Sequence, residues 1–333
     1  MLVITLFTKI LHYLPGEISH HIALKSLKLM HLLGLFKFFR LSNNLHPSEK
    51  DRDINKLSNK VGIAAGLDKN GDYIDCLAAL GIGFIEVGTV TPRPQTGNPK
   101  PRIFRNLNDR SLLNRLGFNN KGVDYLVERL KKRQTSIFVG ASIGKNFDTP
   151  NDKASDDYIF CLKRVYEFSD YVAINISSPN TKNLRELSTE ENLNSLLGKI
   201  KTEHSLLSSL YGYKPIFVKI SPDESLQNLK FICKIILMNN IDGIICSNTT
   251  VDHDNENGLG GLSGAPLKTK SNASLEKIKH ILGDRLTIIA SGGVMTPADY
   301  IEKLDKGADL VQVYTGFIFE GPKLIKDIVN LKS

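Results

Sequence analysis

The sequence is short of several things, and each shortage narrows its function. No run approaches the roughly 18 apolar residues that would span a bilayer. The apolar N-terminus is broken by Lys9, His12, Lys25, Lys28 and Lys37. No small-residue cleavage site follows a signal-like core, which argues against a secretory leader. The 4 cysteines, Cys76, Cys161, Cys233 and Cys246, are far apart and form no CxxC. They read as reduced core thiols of a cytosolic compartment. Histidines gather toward the N-terminus, away from Asp and Glu, so no metal site is expected. Zinc-finger spacing, an RNP motif and dense Lys/Arg tracts are all missing, so nucleic acid ranks last among partners. The net charge of +8 points instead to an anionic membrane surface or anionic ligands. Low complexity is absent too. A chain of 333 residues, 41% hydrophobic and 23% charged, suits one large globular domain with a small appendage, or two domains.

Residues 1–40 read as two helices joined at Leu14-Pro15-Gly16. Thr5, Thr8, Lys9 and His12 share a face of the first. In the second, His21, Lys25, Lys28 and His31 form a basic stripe opposite Ile22, Leu24, Leu27, Leu29, Leu32, Leu33, Leu35, Phe36, Phe38 and Phe39. So wide an apolar face must be covered. A basic stripe beside it suits a helix lying in a membrane interface; the alternative is packing on the main domain. Residues 41–60, polar and charged, read as a linker, and 61–333 as the main domain.

From residue 61 strand-type runs alternate with helical patterns. The runs are Val61–Ala65, Phe84–Val87, Ile137–Ile143, Tyr171–Ile176, Ile216–Ile220, Gly243–Cys246, Leu286–Ala290 and Leu310–Tyr314. Helical patterns cover 72–80, 122–133, 155–168, 190–209, 224–239, 273–282, 297–306 and 322–331. Apolar runs of this kind imply a parallel sheet with both faces covered. Eight such units predict an α/β fold, a (β/α)8 TIM barrel preceded by a small N-terminal helical domain. An open doubly wound sheet would carry a GxGxxG loop after its first strand, where this chain reads Ala65-Gly66-Leu67-Asp68-Lys69.

In a barrel the chemistry sits on the loops after the strands. Here those loops hold Asp68-Lys69-Asn70, Thr89-Val90-Thr91-Pro92, Lys145-Asn146, Ser177-Ser178-Pro179-Asn180, Ser221-Pro222, Ser247-Asn248-Thr249-Thr250, Gly292-Gly293 and Thr315-Gly316. The last two occupy the usual barrel phosphate position, where glycine lets backbone N–H groups approach an anion. Lys69 and Lys219 at strand ends need anions to offset burial. One could hold a carboxylate and the other a negative cofactor. Redox and Schiff-base chemistry both fit these lysines. Asn114, Asn175, Asn180 and Asn248 favour the former, because amides donate and accept toward a flat heterocycle.

These residues stand in motifs that resemble the dihydroorotate dehydrogenase family, in its membrane-associated, quinone-reducing class. The motifs are Ala64-Ala65-Gly66-Leu67-Asp68-Lys69, Gly88-Thr89-Val90-Thr91-Pro92-Arg93-Pro94-Gln95, Asn114-Arg115-Leu116-Gly117-Phe118-Asn119-Asn120, Asn175-Ile176-Ser177-Ser178-Pro179-Asn180-Thr181, Ser247-Asn248-Thr249-Thr250 and Gly260-Gly261-Leu262-Ser263-Gly264. The resemblance implies FMN-dependent oxidation of (S)-dihydroorotate to orotate in pyrimidine synthesis, with ubiquinone or menaquinone as acceptor. It makes Ser178 the base, served by Thr181 and a water near Phe118. It gives Lys69, Asn114, Arg115, Leu116, Gly117, Phe118, Asn180, Asn248 and Thr249 to the substrate. Ala65, Gly66, Lys69, Thr89, Ser142, Asn175, Lys219, Ser247, Gly264, Gly293, Tyr314 and Thr315 go to FMN, with Ser142 where the family often has asparagine. His20, Arg105 and Tyr314 would meet the quinone in a tunnel through the N-terminal helices. A serine at 178 separates the chain from the soluble class, which has cysteine there. The short N-terminus resembles the bacterial form, a peripheral protein on the cytoplasmic side of the inner membrane, expected here as a monomer. Competing readings are a catalytically silent phosphate-binding barrel and a related flavoprotein that uses NAD or fumarate.

Overall fold

The β-branched runs form strands because both of their faces can be covered, and in a computed structural model describing residues 2–37, 53–57, 59–181 and 184–331 they close on themselves. In chain order the strands are β1 (Val61–Ile63), β2 (Phe84–Val90), β3 (Ile103–Asn106), β4 (Ser111–Asn114), β5 (Phe138–Ile143), β6 (Tyr171–Asn175), β7 (Ile216–Ile220), β8 (Gly243–Cys246), β9 (Gly261–Gly264), β10 (Thr287–Ser291) and β11 (Leu310–Val313). Eight of them make a closed parallel barrel in the order β1-β11-β10-β8-β7-β6-β5-β2. The helices are α1 (Leu2–Leu11), α2 (Gly16–Leu32), α3 (Ile74–Ala78), α4 (Val123–Lys132), α5 (Ala154–Val165), α6 (Glu190–Tyr211), α7 (Leu226–Met238), α8 (Lys268–Leu282), α9 (Pro297–Asp305), α10 (Thr315–Glu320) and α11 (Pro322–Val329). Local chemistry sets their starts. Thr296 and Asp299 form a capping box ahead of α9, with Pro297 at its first position.

β3, β4 and β9 form a separate three-stranded antiparallel sheet, which the sequence reading passes over as loop. β3 and β4 interrupt the connection from β2 to β5, and β9 follows β8. The eighth helical pattern starts at Pro322 as expected, and a short helix that the sequence reading passes over, α10, stands ahead of it.

The lower barrel is filled by rings seated against glycines. A Cβ at Gly62 would lie 2.6 Å from the Phe84 ring, one at Gly140 2.0 Å from Tyr171, and one at Gly243 2.6 Å from Phe217. Phe138, Ile245, Ile289 and Leu310 complete this layer. Ile54 and Leu57 are buried with it, so the end of the expected linker plugs the barrel floor. Residues 41–52 and 58 of that linker, and Phe38 and Phe39, lie outside the described residues.

The N-terminal helices pack on the barrel with part of their polar chemistry inward. His12 Nε2 lies 3.2 Å from the Ile318 carbonyl oxygen, and its ring sits 5.3 Å from that of Phe319. Thr8 stands against Gly321. Lys28, from the expected basic stripe, turns inward and donates to the Asp72 carbonyl at 2.9 Å. Val3, Leu6, Ile10, Leu29, Leu32 and Leu33 are each more than half exposed.

Truncating a ring of the plug should be costly. Phe217→Ala is expected to lose about 3–5 kcal/mol of stability, read as a lowered urea midpoint.

Candidate active site

Several loops at the barrel mouth are pinned by side chains before they reach the cleft. After β1, buried Asp68 accepts the Asp72 N–H at 2.9 Å and the Tyr73 N–H at 2.7 Å. Burial pushes its carboxyl up to about 6. The turn it holds carries Lys69, whose ammonium is brought down to about 8 by burial and by the Arg102 guanidinium, against Glu17 and Asp68. Arg102 is itself buried and donates to Glu17 Oε1 from Nη2 at 2.8 Å, which ties this corner to α2.

After β4, Phe118 has φ 53°, a region bulky residues seldom enter. Asn120 holds it there. Its amide donates to the Phe118 carbonyl at 2.7 Å and to Thr91 Oγ1 at 2.8 Å, and its oxygen accepts the Gly122 N–H at 2.7 Å. Gly144 gives the ring room, since a Cβ there would lie 2.9 Å from it.

β6 delivers Asn175, which donates to Thr89 Oγ1 at 2.8 Å and accepts the Ser177 N–H at 3.2 Å. Ser178 is buried, and its Oγ accepts the Asn180 N–H at 3.3 Å. The Asn180 side chain donates to Asn114 Oδ1 at 2.9 Å, and Asn114 donates to the Gly261 carbonyl at 3.0 Å. Asn248 donates to Ser177 Oγ at 3.0 Å. Sequence reasoning passes over Arg185. Its guanidinium donates to the carbonyls of Ser177 at 3.3 Å and Thr249 at 3.2 Å, and pairs with Asp223 at 3.0 Å. One side chain thereby joins the loops after β6, β7 and β8.

The loops enclose a cleft of about 970 Å³, counting its open mouth. It gathers Ala65, Gly66, Lys69, Thr89, Asn114, Leu116, Gly117 and Phe118 from the first loops. Asn175, Ser178, Asn180, Lys219, Ser247, Asn248 and Thr249 line its middle, and Gly264, Gly293, Tyr314 and Thr315 complete it. Gln312, Ser263 and Leu267 also line it, although the sequence reading names none of them for a role. A lone amide inside the apolar run of β11 was the available signal for Gln312. Its Oε1 is buried with no hydrogen-bond partner among the described residues.

Three expected residues do not line this cleft. The Arg115 guanidinium lies 5.0 Å over the Phe104 ring and donates to the Asn257 carbonyl. The Ser142 hydroxyl stands behind Thr89, 2.9 Å from its Oγ1. Thr181 is buried on the Ser178 loop, its Oγ1 without a partner among the described residues.

His20, Arg105 and Tyr314 meet in a second, mainly apolar cavity of about 1630 Å³ between α1, α2 and the barrel. Burial and the Lys69 ammonium push the His20 imidazole down to about 3, so it is neutral. Arg105 donates to the His12 carbonyl at 2.8 Å and to Ser19 Oγ at 3.1 Å. Asn114, Ser263 and Tyr314 line both cavities and form the wall between them.

A family model described as dihydroorotate dehydrogenase matches residues 53–331. The chain belongs to the dihydroorotate dehydrogenase family. It is similar to a Vibrio parahaemolyticus protein named dihydroorotate dehydrogenase (quinone), 46% identical over 326 residues, covering 95% of this chain and 96% of the relative. A protein of the same name from Nitrosospira multiformis is 44% identical, covering 96% of this chain and 92% of its own. The crystal structure of Eimeria tenella DHODH in complex with ferulenol is 34% identical, with a TM-score of 0.80, covering 94% of this chain and 89% of that one.

In this family member, Asn120→Ala removes the brace of a left-handed Phe118 and strands buried partners. It is expected to lose about 1–3 kcal/mol, measured as a shift in the denaturation midpoint.

Proposed function

We propose that this dihydroorotate dehydrogenase holds FMN in the cleft, oxidises (S)-dihydroorotate to orotate for pyrimidine synthesis, and passes the electrons to ubiquinone or menaquinone. One observation carries the reading. A polar cleft with a buried hydroxyl, two ammonium groups and four amides backs onto an apolar chamber through a wall of three side chains.

The lining fits FMN. The unpartnered Oε1 of Gln312, a buried residue lining the cleft, can accept from the flavin. Lys219 stands at the floor, only 5% exposed. Gly292, Gly293 and Thr315 offer close backbone approach for a phosphate. Ala65, Gly66, Thr89, Asn175, Ser247, Gly264 and Tyr314 would hold the rest of the cofactor. When bound, FMN supplies the acceptor of two electrons from the substrate and their donor to the quinone.

The chain's own groups do the remainder. Lys69 pairs with the substrate carboxylate, and Asn114, Asn180, Asn248 and Thr249 grip its ring. Ser178 removes the proton from C5. A hydroxyl is a weak base, and the Asn180 N–H at 3.3 Å from Ser178 Oγ favours its ionised form. Thr181, on the same loop, carries the proton outward with a water near Phe118.

Residues 1–40 are the membrane-contacting part in this proposal. Their outward leucines, isoleucines and valine would enter the cytoplasmic face of a bacterial inner membrane, with His21 and Lys25 exposed beside them. The chamber behind them then admits the quinone past His20, Arg105 and Tyr314. Among the described residues no helix is long and apolar enough to cross a membrane.

Purified protein should be yellow. Ser178→Ala is expected to keep the flavin and slow its bleaching by dihydroorotate about 10²–10⁴-fold; stopped-flow absorbance decides, and near-normal bleaching removes Ser178 from the role. Deleting residues 1–40 should spare that bleaching and abolish turnover with quinone. The Lys69 ammonium, brought down to about 8, is charged below that pH and loses its charge above it. The value of kcat/KM for dihydroorotate should therefore fall above pH 8, approaching tenfold per pH unit.

A further inference from the structure

Below the cleft, and above the aromatic plug, lies a carboxylate that the proposed mechanism does not use. Glu86 on β2 points into the barrel and is fully buried. Its Oε1 lies 3.4 Å from Lys219 Nζ. Its Oε2 accepts from Gln312 Nε2 at 2.8 Å and from the Tyr171 hydroxyl at 3.3 Å. The four side chains come from four different strands, β2, β6, β7 and β11. Lys219 and Gln312 line the cleft; Glu86 and Tyr171 stand behind them. Among the described residues Glu86 is the only hydrogen-bond partner of the Lys219 ammonium.

A buried ammonium needs a counter-charge, and a carboxylate in a closed barrel has no access to water. We propose that Glu86 is a positioning residue: it holds Lys219 as a charged group at the cleft floor, with Gln312 and Tyr171 keeping the carboxylate in place, and so sets how strongly the protein favours reduced over oxidised flavin. This rests on the FMN reading above. Without Glu86 the ammonium loses its counter-charge and swings toward solvent, which empties the floor of its cation. The cation stabilises the negative charge that a flavin gains on reduction, so its loss weakens that preference. The Tyr171 hydroxyl and the Gln312 amide both donate to the carboxylate and fix its position beside Lys219.

The test is a reductive titration of the flavin-loaded, full-length protein against redox dyes. It compares the midpoint potential of bound FMN with that of free FMN. In Glu86→Gln the ratio of affinities for reduced and oxidised FMN is expected to fall about tenfold, equivalent to about 30 mV for a two-electron couple. In the Lys219→Met background the same change should lower the ratio no further, because Glu86 acts through Lys219. An unchanged ratio in the single variant overturns the proposal, as does an equal fall in both backgrounds. Where Glu86→Gln does not fold, Glu86→Asp serves: it keeps the charge but withdraws it by one methylene. A smaller fall in the same direction supports the assignment, and a ratio that stays put overturns it. A purely structural role would lower the unfolding midpoint and leave the ratio alone. A wild-type protein that takes up no FMN sinks the flavin reading instead, so the two failures are distinct.

Discussion

A buried amide that lacks a partner is costly, and this constraint governs the barrel mouth. Asn114 ends β4 and Asn175 ends β6, while Asn180 and Asn248 sit on the loops after β6 and β8; Asn175 is buried and the other three are half-buried at the cleft. They satisfy one another and their neighbours: Asn180 donates to Asn114, Asn114 to the Gly261 carbonyl, Asn248 to Ser177, and Asn175 to Thr89. Each loop is thereby fixed relative to the next. The shape of the cleft follows from the hydrogen bonds of its rim, and Arg185 reinforces it from outside through Ser177, Thr249 and Asp223.

The barrel splits into two storeys with different chemistry. The lower one is apolar, with aromatic rings nested against glycines. The upper one is polar and open. The layer between them holds Glu86, Tyr171, Gln312 and Lys219, where a buried ion pair meets the plug. The helices at the N-terminus add a third compartment beside the barrel. It is mainly apolar inside, lined by Leu11, Leu24 and Leu27 among others, while His12, Thr8 and Lys28 anchor those helices inward and Val3, Leu6, Ile10, Leu29, Leu32 and Leu33 remain outside.

Much of this was legible in the sequence because two signals repeat. The eight β-branched runs set the barrel, and the polar residues that follow each run set its active end. What escaped had no period to betray it. Strands Ile103–Asn106 and Ser111–Asn114 are short and carry Arg105, Asn106 and Asn114, so propensity reads them as loop; only pairing with Gly261–Gly264 makes them a sheet. Arg115 sits inside a motif of cleft residues, yet stacking on Phe104 carries its guanidinium away. Ile54 and Leu57 hide in a charged segment whose local composition says linker. Gln312 and Arg185 are single polar residues, whose partners lie on other strands and loops.

The wall made by Asn114, Ser263 and Tyr314 separates two rooms built from different parts of the chain. The inner room depends on the barrel rim, where one altered side chain disturbs several neighbours. The outer room is lined largely by α1 and α2, through residues such as Ile4, Phe7, Leu11, Ala23 and Met30. Those positions can drift with little penalty to the rim. Under the proposed function, substitutions lining the outer room would change which lipid-borne carrier fits there, while the chemistry behind the partition stays the same.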